Sequence, residues 1–95
     1  MELEVEGRRF KLDWKDIAML LVLLWVRTDA LALTHLQRIE PDYGRLNSRI
    51  AKLLEEGLIE EVRIGRLRFF YLSELGVKVA KKLEELAKKL GESTR

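Results

Sequence analysis

Apolar positions along this chain change period several times, and each change marks a predicted element. Residues 1–12, MELEVEGRRFKL, alternate apolar and charged positions about Gly7-Arg8. A turn there sets Val5 against Phe10 and Leu3 against Leu12 on one face, with Glu6 opposite Arg9 and Glu4 opposite Lys11 on the other. That pattern predicts an antiparallel hairpin with a two-residue, glycine-first turn. Asp13 is placed to cap a first helix running to about Arg27, with Asp16 at its third position, where negative charge is favoured. The run Ile17–Val26 is apolar on every side of that helix, so it needs cover all round.

A second helix is predicted over roughly residues 30–40, capped by Thr28 or Asp29, with Leu33, Leu36 and Ile39 inward. Pro41 interrupts it and is suited to the first position of the next helix. Leu46, Ile50, Leu53 and Leu54 follow at helical spacing, and Gly57 supplies a left-handed C-terminal cap. Leu58–Ile64 and Leu67–Leu72 read as strands about a Gly65-Arg66 turn. Ser73 caps a last helix to about Leu90, with a frayed tail at 91–95. Its residues Val79, Leu83, Leu86 and Leu90 are spaced four, three and four apart, a heptad seam two repeats long. A chain of 95 residues has little material to cover both the first helix and this seam. The expectation is a homodimer, with Ile17, Leu20, Leu21, Leu24, Val79, Leu83, Leu86 and Leu90 at the interface. The fold class is α+β and mostly helical, in a single domain of three parts: hairpin 1–12, helices and ribbon 13–72, and a dimerisation helix 73–90.

The charge pattern narrows the function. With 18 basic and 16 acidic residues the net charge of +2 is small, so distribution decides. Between Tyr43 and Leu54 there is no acid, and Tyr43, Arg45, Asn47, Ser48, Arg49 and Lys52 fall on the outer side of the third helix. Arginine makes paired bonds to guanine and asparagine to adenine, while serine, tyrosine and lysine commonly hold phosphates. Gly44 leaves room for a backbone to approach. In the ribbon, Arg63 and Arg68 fall opposite each other with Arg66 at the tip. Opposed like charges destabilise a ladder, which suggests phosphates as the missing counter-charge. Helix and ribbon together predict binding to double-stranded DNA.

Other classes of chemistry lack their residues. There is no cysteine, which excludes disulfides and thiolate metal sites and fits an intracellular, cytoplasmic protein. His35 is the only histidine, and a metal site wants several imidazoles or thiolates at ligand spacing. The acid pairs Glu55-Glu56, Glu60-Glu61 and Glu84-Glu85 read as solvated faces. Neither catalysis nor a cofactor is expected, and no pattern specifies a small-molecule effector. The apolar run of ten residues is far short of the roughly 20 that span a bilayer, so no membrane partner is expected. One Asn and one Gln among abundant Glu, Lys and Arg resemble a hyperthermophile composition.

Residues 14–90 resemble the winged helix-turn-helix regulators, especially the MarR-like and ArsR-like transcription factors of bacteria and archaea. The resemblance rests on helix order and on two segments, RLNSRIAKLLEEGLIEEV at 45–62 and FYLSELGVKVAKKLEEL at 70–86. The step from Leu53 through Gly57 and Leu58 to Ile59, joining recognition helix to wing, is widespread in that superfamily. The resemblance implies a dimer on an operator, with the third helix in the major groove and the wing beside it. Two departures are visible: the wing is short, and nothing matches the cysteine and histidine clusters of the metal sensors. The competing class is a protein-interaction or scaffold module, since a fold does not fix a function.

Overall fold

The computed structural model describes residues 1–26 and 31–93, and side chains through Lys89. Among the described residues nine elements follow one another: β1 (Glu2–Val5), β2 (Arg8–Lys11), α1 (Trp14–Trp25), β3 (Leu31–Ala32), α2 (Leu33–Leu36), α3 (Tyr43–Glu55), β4 (Ile59–Ile64), β5 (Leu67–Leu72) and α4 (Glu74–Ser93). α2 and α3 form the helix-turn-helix, and β4–β5 form the wing. The predicted α+β, mostly helical class holds. None of the described helices is long and apolar enough to cross a membrane.

The amino-terminal hairpin forms with a different register. Its turn is Glu6-Gly7, both in the left-handed region (φ 52° and 76°), so Leu3 pairs with Phe10 and Glu4 with Arg9. A type I′ turn matches the twist of the flanking strands and tolerates glycine second. Moving the turn back one residue keeps Leu3 and Phe10 on the buried face, and the displaced Leu12 bonds Met1 at both backbone groups instead.

α1 begins as predicted. The Asp13 carboxylate accepts from Asp16 N–H at 2.9 Å, and Asp16 accepts from Asp13 N–H at 3.2 Å. Met19, Leu20, Leu23 and Leu24 of α1 enter one buried cluster with Phe70 of the wing and with Val79, Ala80 and Leu83 of α4. Much of the expected dimer seam is therefore spent inside one chain. Leu20 and Val79 (0% exposed) offer no area to a second copy and Leu24 and Leu83 very little, because α4 packs on α1 of its own chain. Ile17, Leu21 and Leu86 are half-buried at the edge of the cluster, Trp14 and Trp25 are exposed, and the Leu90 side chain lies outside the described residues.

The second helix is shorter than its pattern suggests. Leu31 and Ala32 instead make a two-residue strand against Phe70 and Phe69, giving a three-stranded sheet of order β3-β5-β4. The predicted caps Thr28 and Asp29 and the helix end at Arg27 lie outside the described residues. α3 is capped by Asp42, which accepts from Arg45 N–H at 2.9 Å, so Pro41 precedes the cap and is not the first helical residue. At the far end Gly57 (φ 76°) donates to Leu54 and Leu58 donates to Leu53, a left-handed C-terminal motif that turns the chain into the wing. α4 continues to Ser93, past the predicted end near Leu90.

Candidate nucleic-acid interface

α3 is held by Leu46, Ile50 and Leu53, each fully buried. That orientation exposes Tyr43, Gly44, Arg45, Ser48 and Ala51. Asn47 is half-buried and already bonded: its amide donates to Tyr43 O at 3.1 Å, and its Oδ1 accepts from Arg68 at 3.0 Å. α3 and the wing are thus tied by a side-chain bond.

Arg49 and Lys52 do not share the open face. Both turn toward the amino end of α1. Arg49 contacts the Asp13 carboxylate, Asp16 at 3.0 Å and Glu40 at 3.4 Å. Lys52 reaches Asp16 at 2.9 Å and also bonds Lys11 O, while Lys15 binds Glu40 at 3.0 Å. Asp16 and Glu40 are 1% and 2% exposed, so these are buried carboxylates that require partners. The arginine beside Asp13 holds its carboxyl below the usual range, Lys15 does the same for Glu40, and Arg49 is driven further toward its charged form, mainly by Asp13. Burial pushes the nearby Glu56 carboxyl up, and one of its oxygens has no hydrogen-bond partner.

The wing register places Arg63 opposite Arg68, as the sequence predicts. Their counter-charge, however, is internal. Glu61 accepts from Arg63 Nε at 2.9 Å and from Arg68 through two nitrogens at 2.9 and 3.0 Å. Glu61 lies two residues before Arg63 and so on the same face of the strand, and that period-two rule is the sequence signal that identifies it. Arg68, then Arg63, hold the Glu61 carboxyl down to about 2, well below its ordinary 4.5. A depressed carboxyl stabilises the fold above its unfolded pKa, and that contribution fades as pH falls from 4.5 toward 2. An NMR titration of the Glu61 side chain should therefore show little protonation by pH 3.5; a midpoint near 4.5 would mean that the bridge is not formed.

Arg38, Arg45 and Arg66 are exposed and make no ion pair among the described residues. Arg66, Tyr43 and Thr34 line one open cleft of about 200 Å³ between the wing tip and the starts of α2 and α3, with Leu33, Leu67 and Arg68. Of the nine predicted contact residues, the structure brings Tyr43, Arg66 and Arg68 together there and leaves Arg45 and Ser48 open beside Asn47. Thr34 joins them unpredicted, because its helix starts only after the unanticipated strand β3.

The wing has a second face. Glu60, Val62, Ile64, Leu67, Phe69 and Tyr71 alternate away from the core, and Val62, Ile64, Leu67 and Tyr71 are 41%, 63%, 58% and 37% exposed. No residue of this face belongs to the buried cluster.

No protein-family model matches the sequence, and no curated protein matches it. Solved structures do. MepR, a transcription regulator of the Staphylococcus aureus multidrug efflux pump MepA, aligns with a TM-score of 0.81 at 14% identity, over 90% of this chain and 64% of its own. FabT of Streptococcus pneumoniae, solved in complex with DNA, aligns at 0.76 and 15%, over 95% of this chain and 63% of its own. AF1382 from Archaeoglobus fulgidus gives 0.75 and 15%, over 83% and 90%. The chain thus spans less than two thirds of MepR and FabT. At these identities the likeness establishes the fold, and the fold is a winged helix.

Proposed function

We propose that this chain binds double-stranded DNA as a homodimeric, cytoplasmic transcription regulator. The first half of α3 would lie in the major groove and Arg66 of the wing would lie on a flanking phosphate. The observation that carries this reading is the open, acid-free run Tyr43–Ser48, with Tyr43 and Arg66 lining one cleft, on a fold shared with a DNA-bound regulator. Arg45 and Ser48 are the side chains free to meet base edges, while Asn47 would have to leave Arg68 to do so. Tyr43 and Thr34 suit phosphate contacts. Pairing of two copies would use what the core leaves over: Trp14, Ile17, Leu21 and Trp25 on α1, with Leu86 on α4.

Selection of bound duplexes followed by titration tests this. Arg45→Ala should cost about 1–3 kcal/mol on the preferred site if Arg45 reads a base. An equal loss on every duplex would make Arg45 a phosphate contact. Absence of any duplex binding at low salt would reject the reading.

A second reading has one observation in its favour, the apolar outer face of the wing. A protein-interaction module would use that surface, and its binding would lack the steep salt dependence of phosphate contacts.

A further inference from the structure

The six charges joining α1, the chain before α3 and α3 itself balance among themselves. Asp13, Asp16 and Glu40 supply three negative charges; Lys15, Arg49 and Lys52 supply three positive ones. The members differ in access. Asp16 and Glu40 side chains are 2% and 3% exposed, Arg49 20%, and Asp13 51%. Asp13 is therefore the open anion of the network and Lys52, 41% exposed, its most open cation, so the Asp13–Arg49 pair is the side from which the guanidinium of Arg49 meets solvent. Arg49 also lies one helical turn beyond the exposed Arg45, on the same stripe of α3. An anion approaching Arg45 along that stripe meets Arg49 next, and finds the Asp13 carboxylate already on it.

We infer that Asp13 acts as a built-in competitor for polyanions, occupying Arg49 so that this cation contributes little to nucleic-acid affinity in the native chain. The inference rests on the DNA reading for its biological meaning, but its electrostatics can be tested separately. Without the Asp13 charge the network carries +1, and the undercompensated Arg49 guanidinium, still beside Asp16 and Glu40, opens the side that Asp13 covered to an incoming anion. Asp13 has a second role, capping α1 through Asp16 N–H. Asparagine caps a helix about as well as aspartate. Asp13→Asn therefore removes the charge and retains the cap.

The comparison is between wild type, Asp13→Asn and Glu85→Gln, the last an exposed site on α4 that gives the same change in net charge. Heparin chromatography and titration of a duplex at several salt concentrations are the readouts, with melting curves to verify folding. Asp13→Asn should elute from heparin at distinctly higher salt than Glu85→Gln. On duplex DNA its log-affinity against log-salt slope should steepen by up to about 0.9 per bound chain, one added phosphate contact. The Arg49 Nε–H resonance should shift on adding heparin to Asp13→Asn, and much less in wild type. Matching heparin elution of the two variants, with an unmoved Arg49 resonance, would overturn the inference. If no variant binds duplex but the heparin difference appears, the DNA reading fails and the competitor role stands.

Discussion

Arg49→Ala should cost the fold about 3 kcal/mol, more than it costs any contact with a ligand. The reason is burial. Among the described residues Arg49 alone touches all three carboxylates of the network, and removing it strands Asp16 in the interior with Lys52 as its remaining cation. Breaking a buried pair from one side is worth roughly 3–5 kcal/mol, and the surviving Lys52 places this case at the low end. For a domain of this size each kcal/mol moves the melting midpoint by about 4–8 °C, so a drop of at least about 12 °C is expected. Arg49→Lys should recover only part of it, because a single ammonium cannot present the guanidinium's fork to carboxylates on three sides. Circular dichroism melting of the three proteins is sufficient. An unchanged midpoint in Arg49→Ala would mean that the network is a solvated surface feature, and would restore Arg49 to the outer face of α3 on which its sequence position places it.

That reversal shows where the sequence is legible and where it stops. Local rules hold. Asp13 caps α1, Gly57 closes α3, and Arg63 faces Arg68, because each depends on neighbours within one turn or one ladder rung. Facing is also local, so Leu46, Ile50 and Leu53 are identified as the buried side of α3. What lies beside the outer stripe is not local. Arg49 meets Asp13 across 36 residues and Asp16 across 33, and no periodicity links those positions. The same limit accounts for β3: Leu31 and Ala32 are ordinary helix positions until Phe69 and Phe70 offer them a sheet edge. The turn at Glu6-Gly7 is a different case. Either turn buries the same apolar residues, and only the backbone twist of the type I′ turn decides between them.

The dimer expectation follows the same division. A heptad seam and an all-apolar helix each call for a partner, and the pattern does not say whose. α1 and α4 of one chain satisfy most of that demand mutually, which moves any contact between copies outward to Trp14, Leu21 and Trp25. For the proposed DNA contact, internal pairing of Arg49, Lys52, Arg63 and Arg68 leaves Arg38, Arg45 and Arg66 as the exposed arginines of the helix-turn-helix and wing with no ion pair among the described residues. Fewer open cations mean a shallower salt dependence than the raw charge of this region suggests.

Gly76→Ala should destabilise the protein by about 3 kcal/mol or more, although helix propensity alone favours alanine at that position by about 1 kcal/mol. Gly76 lies in the first turn of α4, where the helix passes over the start of the wing. A Cβ there would stand 1.9 Å from the Leu58 carbonyl oxygen and 2.9 Å from its carbon, both backbone atoms that no rotamer change can move. The same carbonyl accepts from Ser73 N–H at 3.0 Å, and Ser73 Oγ accepts from Gly76 N–H at 3.0 Å while bonding Gly57 O. Relieving the clash therefore disturbs the cap of α4 and the exit from α3 together. Gly76 sets how closely the last helix can lie on the joint between α3 and the wing. Thermal and denaturant unfolding of Gly76→Ala, beside an alanine substitution at exposed Lys81 as a control for propensity, separates the two effects. If the glycine variant is as stable as wild type or more so, α4 does not approach Leu58 this closely and the wing is held by its strands alone.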